Sequence, residues 1–268
     1  MMKTMGELDG LPSEKFDVLK ALETDAPPLD FVLPGLLAGG VGVLSGPGGI
    51  GKSILAMQLA IDIASGENTT GLNKSAGRAE RVVLLNANDP AAVVNYRMHF
   101  ALRKICSTQQ SLDNTCGNLQ VTTLYGKSVD VMSPHWLERI KRKAAGARLL
   151  ILDNLGSFHT LDVAKHKDAT RLMLALEETC AECQTTMLVV HWHYSEQADP
   201  LDTYPRMEMS LAQPSQADLM ERGIKNGEQR RYVVLSSDGR DFDLDLLAQK
   251  DRWFWRGDKG LLEPADLI

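Results

Sequence analysis

The chain has 268 residues, 44% of them hydrophobic and 24% charged, with a formal net charge of −6. That length and apolar share suit one large α/β domain with small appendages. The acidic balance argues against a strongly basic outer surface for nucleic acid, while leaving room for a local basic patch or a ring lumen. No apolar run reaches the length of a membrane span, and polar residues 1–11 lack the apolar segment of a signal peptide, so a cytoplasmic protein without membrane contact is expected. Four cysteines occur, Cys106, Cys116, Cys180 and Cys183, and no second pair stands at metal spacing from Cys180-x-x-Cys183. Buried or free thiols in a reducing compartment are the expectation.

Residues 1–25 read as a polar lead-in with one helix over 13–22, capped by Ser13 and carrying Phe16, Leu19 and Leu22 on one stripe. Ala26-Pro27-Pro28 ends it, and residues 26–268 read as the main domain. An extended segment over 29–40 leads into a buried strand, Val41-Gly42-Val43-Leu44. A helix follows from Lys52 and stops at Ser65-Gly66; residues 67–80 are polar and read as a surface loop. Residues 81–86 form a second strand, apolar on both faces as a central parallel strand should be. A helix then starts with Pro90 in its first turn and runs past Leu102. Residues 107–118 read as a polar loop and 119–124 as a strand.

Ser133 and Pro134 open the next helix as cap and first helical residue. Its Arg139, Lys141, Arg142 and Lys143 read as a solvated outer face. Residues 149–153 are the most apolar strand and end in Asp153. An amphipathic helix over 168–184 and a buried strand over 186–191 follow. The pattern weakens over 194–229, with one short helix expected near 216–224. Strands over 230–235, 242–247 and 252–255 suggest a terminal hairpin or meander. Strands alternating with helices imply an α/β fold, a mostly parallel sheet with helices on both faces and a C-terminal β extension. Its ligand should sit beyond the carboxyl ends of the strands.

The chemistry concentrates at Gly46-Pro47-Gly48-Gly49-Ile50-Gly51-Lys52-Ser53, which fits G-x-x-x-x-G-K-[ST] between a strand and a helix. Small residues let phosphate oxygens approach backbone N–H groups, and the helix start adds its positive dipole end. Gly46, Gly48, Gly49, Ile50, Gly51, Lys52, Ser53 and Ile54 are the expected contacts to a nucleoside triphosphate, ATP. Lys52 reaches the β- and γ-phosphates, and Ser53 supplies a hydroxyl to Mg²⁺. Asp153, a carboxylate at a rigid strand tip, is the second expected Mg²⁺ ligand; a helix-cap or turn aspartate is the alternative. Asp89 is the one acid at the tip of the second strand, and His191 ends another strand. A γ-phosphate sensor and a satisfied local donor are both open readings for His191.

These residues together resemble the RecA-like family of RepA-type hexameric helicases of broad-host-range plasmids. The resemblance runs from about Ala26 to the C-terminus. It rests on Pro27-Pro28-Leu29-Asp30-Phe31, the phosphate loop, Asp89-Pro90 and Arg97-x-His99. Pro134-x-Trp136, Leu152-Asp153-Asn154-Leu155, Phe158-His159, His191, Arg230-Arg231 and Asp251-Arg252-Trp253-Phe254 continue it. It implies a RecA-like P-loop core, nucleotide bound between subunits of a homo-oligomer (a hexamer in the family), and a ring moving on single-stranded DNA.

The chain departs from the family at three places. The glutamate that positions the attacking water is replaced by Asn88, expected at the tip of a strand beside the phosphate-loop strand and facing the γ-phosphate. No Lys or Arg follows His191 within Trp192-His193-Tyr194-Ser195-Glu196. The small-residue DNA-facing loop is replaced by an irregular 197–228 stretch. No arginine of the chain's own is evident near the phosphates, and Arg240 is the candidate that would reach across a subunit boundary; a charged hairpin tip is the alternative. Asn88, Asp89, His191 and Arg240 are thus the candidate catalytic positions. Two functions follow from the resemblance. One is an ATP-binding protein with slow or absent hydrolysis, acting with a replication or regulatory protein of a plasmid or mobile element. The other is an active ring-shaped DNA helicase.

Overall fold

Aliphatic runs bounded by polar tips build the centre of the molecule, because strands buried on both faces need no polar alternation. The computed structural model describes residues 17–25, 28–192, 201, 207–213, 215, 220, 232–239, 242–251 and 254–256, with Leu235 the one side chain described beyond residue 220. The chain forms two compact units, Met1–Asp30 and Phe31–Ile268. In the first, helix α1 (Val18–Glu23) is capped by Asp17, whose carboxylate accepts from the Lys20 backbone N–H at 3.0 Å. Ser13 and Phe16 lie outside the described residues.

The second unit opens with a small antiparallel pair, β1 (Phe31–Leu33) and β2 (Leu36–Leu37). Six parallel strands follow: β3 (Val41–Ser45), β4 (Val82–Asn86), β5 (Leu119–Thr123), β6 (Leu149–Asp153), β7 (Thr186–Val190) and β8 (Met207–Ala212). An antiparallel meander, β9 (Tyr232–Gly239), β10 (Phe242–Asp251) and β11 (Phe254–Arg256), extends the sheet from β8. The spatial order is β11-β10-β9-β8-β3-β7-β6-β4-β5. The α/β reading and the terminal meander therefore hold.

Helices cover both faces. α2 (Lys52–Ser65) packs on one face with Leu55, Leu59 and Ile63 against Leu44, Leu84, Ile151 and Val190. α3 (Ala91–Ile105) contributes Val94, Ala101 and Ile105 against Met57 and Ile61, on another side of α2, which is why that helix is apolar nearly all round. α5 (Pro134–Ala144) and α6 (His166–Cys183) bury Ile140, Leu172 and Leu176 on the opposite face, against Val43, Leu85, Leu150 and Val189. On α5, Lys141 pairs with Glu182 at 2.6 Å and Arg139 lies over the Trp136 ring, so the basic cluster is engaged on an outer helix. All four cysteines are free, Cys180 and Cys183 are buried, and burial pushes the Cys180 thiol up to about 12. Among the described residues no helix is long and apolar enough to cross a membrane.

Two expectations for connecting segments are corrected, and a third segment is more firmly held than its sequence shows. Residues 107–118 contain a helix, α4 (Gln109–Asn118), held by a reciprocal cap between Thr108 and Ser111. Its Asn114 and Asn118 amides donate to the carbonyls of Ser65 and Ala64 at 3.1 and 3.2 Å, satisfying the end of α2. The helix buries little apart from Ser111 and Thr115, so its sequence carries almost no apolar period. The loop over 67–80, turn-rich and mostly at the surface as expected, is tied down by buried Asp62. Its carboxylate accepts from the backbone N–H and hydroxyl of both Thr69 and Thr70 at 2.7–3.1 Å. Finally, β8 lies inside the stretch read as irregular. Met207, Met209 and Leu211 are buried and alternate with Glu208 and Ser210, a two-residue period present in the sequence itself. The helix expected near 216–224 lies, apart from Met220, outside the described residues.

Candidate functional site

The β3–α2 junction builds a loop whose backbone only glycine tolerates at key points. Gly46 has φ 138°, and a Cβ there would stand 2.5 Å from the Leu211 carbonyl oxygen of neighbouring β8. Gly51, at the helix start, has φ 113° and offers no capping side chain, so the first N–H groups of α2 face the loop cavity. The Lys52 ammonium donates to the carbonyls of Gly46 and Pro47 at 2.6 and 2.9 Å. Burial lowers its pKa to about 8, against the attraction of Asp153. The loop and strand tips enclose a cleft of about 280 Å³ lined by Gly48, Gly49, Gly51, Lys52, Ser53, Ile54, Asn88, Arg97, Asp153, Asn154, Val190 and Trp192. Ile50 instead turns into the core at 2% exposure, and Gly46 lies beneath the cleft against Leu211.

Asp153 is the electrostatic centre. Its Oδ1 accepts from the Ser53 hydroxyl at 3.0 Å, and its Oδ2 accepts from the Asn86 amide at 2.9 Å. Burial pushes its pKa up to about 6; the Ser53 bond opposes this, the Asp89 carboxylate adds to it, and Arg97 and Asn86 oppose it. A carboxylate and a hydroxyl held together beside a buried ammonium suit a hard divalent cation with oxygen ligands, so the donor set fits Mg²⁺. Asn86 is a site residue that the sequence reading passed over. It faces Asp153 across the β4–β6 ladder and also accepts from the Asp89 backbone N–H at 2.9 Å. The sequence signal was a polar residue closing an aliphatic strand.

The second strand tip differs from its expected position. β4 does not neighbour β3: β7 and β6 stand between them. Asn88 nonetheless lines the cleft, where its Oδ1 accepts from the Asn154 amide at 3.3 Å. The side chain that turns the backbone at this tip is that of Asn86, not Asn88, and α3 has no side-chain cap. Asp89 is outside the cleft lining and binds Arg97 at 2.6 Å. Arg97, eight residues on along α3, does line the cleft, so the chain carries an arginine of its own at the site. The sequence shows it only within the resemblance, because nothing local reveals that α3 brings it to the cleft.

At the end of β7, strand alternation directs Val190 and Trp192 to the cleft, and buried His191 is not in its lining. The His191 backbone N–H donates to the Leu44 carbonyl at 2.9 Å. Its ring lies near His159, whose pKa is lowered by burial and then by His191, with the Leu161 backbone and Asp130 acting in the other direction. Arg240 and His193 lie outside the described residues.

The comparisons agree with this geometry. The ATPase domain of G40P is similar in fold, with a TM-score of 0.53 at 13% identity, over 83% of this chain and 86% of that one. The family model described as an AAA domain matches residues 11–198, which hold the phosphate loop, Asn86, Asn88, Arg97 and Asp153. With most of its length matched and a P-loop at the carboxyl ends of a parallel sheet, the chain belongs to the AAA domain family and has a RecA-like P-loop ATPase fold.

Proposed function

We propose that this chain binds Mg²⁺·ATP and hydrolyses it slowly or not at all, acting in replication or regulation of a plasmid or mobile element. The observation that carries the reading is the composition of the cleft. Binding groups are present as Lys52, Ser53, Asp153 and the glycine loop, while Asp153 is the one carboxylate among the described lining residues. It is already engaged by Ser53 and Asn86, which suits a metal ligand better than a base. Asn88 occupies the free strand tip, and an amide holds water without accepting its proton. In the proposed complex, Lys52 exchanges its two loop carbonyls for β- and γ-phosphate oxygens. Ser53 and Asp153 hold the metal, whose chemistry is to neutralise charge on the phosphate oxygens. A homo-oligomer with nucleotide at the subunit boundary, single-stranded DNA and a replication or regulatory protein are the partners that the resemblance implies. Binding through Asp153 should weaken as pH falls below about 6, where the carboxyl protonates.

An active helicase is the second reading, favoured by one observation: Arg97 places a guanidinium in the cleft without help from a neighbouring subunit. ATP turnover with and without single-stranded DNA, beside light scattering with and without nucleotide, separates the two. The first reading expects turnover that single strands do not stimulate. Strong stimulation supports the motor. Calorimetry on Lys52→Ala tests the site itself: unchanged ATP affinity would show that the assignment is wrong.

A further inference from the structure

Trp192 lines the cleft, and the binding scheme above gives it no role. It stands two residues beyond the end of β7, and the same alternation that removes His191 from the lining brings the indole in beside Val190. The ring packs on the glycine loop. A Cβ on Gly48 would stand 3.1 Å from Trp192 Nε1, 3.2 Å from Cζ2 and 3.3 Å from Cε2. The nitrogen-bearing edge of the indole therefore lies on the loop, although 45% of the residue is exposed.

The part of the loop that it touches is chemically defined. The Lys52 ammonium sits 2.9 Å from the Pro47 carbonyl, and that carbonyl belongs to the peptide joining Pro47 to Gly48. Lys52 marks the β/γ end of a bound triphosphate. The indole edge at Gly48 thus stands at the same end. An indole nitrogen can only donate, so the group suits an anionic oxygen and nothing else in a nucleotide's phosphate chain. It is also neutral, so it adds recognition without the charge that would stabilise a transferring phosphoryl group.

We propose that Trp192 is a binding residue for the terminal phosphate, donating its Nε1–H to a γ-phosphate oxygen and making the site selective for nucleoside triphosphate over diphosphate. This rests on the nucleotide-binding reading of the cleft. It also assigns Gly48 a second purpose: its missing Cβ leaves the room in which the indole lies.

The test compares affinities for a non-hydrolysable ATP analogue and for ADP, each with Mg²⁺, in the full-length wild type, Trp192→Phe and Lys52→Ala. Trp192→Phe keeps an aromatic ring on Gly48 and removes the donor. A neutral donor to a charged oxygen is worth about a 10–100-fold change in affinity. Trp192→Phe should lose about that much for the triphosphate and stay within about twofold for ADP. Equal losses for both nucleotides, or no loss, would overturn the assignment. Circular dichroism checks that the variant is folded. As an independent measurement, wild-type tryptophan emission should change with the triphosphate analogue, and that change should vanish in Trp192→Phe; an emission change preserved in the variant counts against the proposal. If the wild type binds neither nucleotide, the binding reading falls with it. If Lys52→Ala abolishes binding while Trp192→Phe changes nothing, Trp192 alone is misassigned.

Discussion

Replacing Asn88 by glutamate should raise the rate of ATP hydrolysis. General-base assistance contributes typically about 10²–10⁴-fold, or roughly 3–5 kcal/mol of barrier. The site takes part of that back. Asp153 lies in the same cleft with a pKa already raised to about 6, in part by Asp89. Two carboxylates in one cleft repel: at a separation of ~6 Å and an effective dielectric of ~20 the cost would be roughly 3 kcal/mol before screening. Arg97 lines the same cleft and offsets some of that repulsion, and bound Mg²⁺ offsets more. A net gain of about 10–10³-fold is therefore expected, with a higher Mg²⁺ requirement than in the wild type. Single-turnover phosphate release with protein in excess of ATP reads the chemical step directly. Brisk turnover by the wild type, abolished by Asp89→Asn and unaffected by Asn88→Glu, would refute the reasoning. In that case Asp89 leaves Arg97 in the bound state and serves as the base.

Three further changes test the framework around the site. Gly46→Ala forces a residue with φ 138° to carry a Cβ 2.5 Å from the Leu211 carbonyl oxygen, so about 3 kcal/mol or more should be lost. At about 2–4 °C per kcal/mol for a chain of this size, melting should fall by about 6–12 °C, and a fall of under about 2 °C in a circular-dichroism melt would contradict the packing. Asp62→Ala strands four donors of Thr69 and buried Thr70 and should cost about 2–4 kcal/mol in urea unfolding; a loss below about 1 kcal/mol would show that the loop does not depend on this carboxylate. Burial lowers the pKa of His159, so the folded state favours the neutral ring. The stability this gives is fully present above the unfolded histidine pKa of about 6.5 and is lost as pH falls through the lower folded value. Melting temperatures at pH 7.5 and 5.5 should therefore drop less in His159→Gln than in the wild type, and equal drops would place the acid sensitivity elsewhere.

Local chemistry alone determined five of the six parallel strands, the phosphate loop and the pairing of Lys52 and Ser53 with an acid at Asp153. Aliphatic runs long enough to be buried on both faces have few other folds, and Gly46 to Ser53 needs only its own neighbours to make an anion cradle. The terminal meander was legible for the same reason. Sequence could not reach what depends on strand order and helix packing. Asn86 became a partner of Asp153 only because β4 pairs with β6, and that same pairing removed β4 from the side of β3. Arg97 joined the cleft because α3 packs against α2, the helix that follows the phosphate loop, and Trp192 joined it because alternation along β7 turned His191 away. β8 and α4 went unread for opposite reasons. β8 hid a strict alternation within a polar stretch, whereas α4 is a polar helix with almost no buried side to announce it. A sequence states which residues can cradle a phosphate; the order of the parallel strands decides which side chains stand around it, because each strand carries its tip residues to the place its hydrogen-bonded neighbours allow.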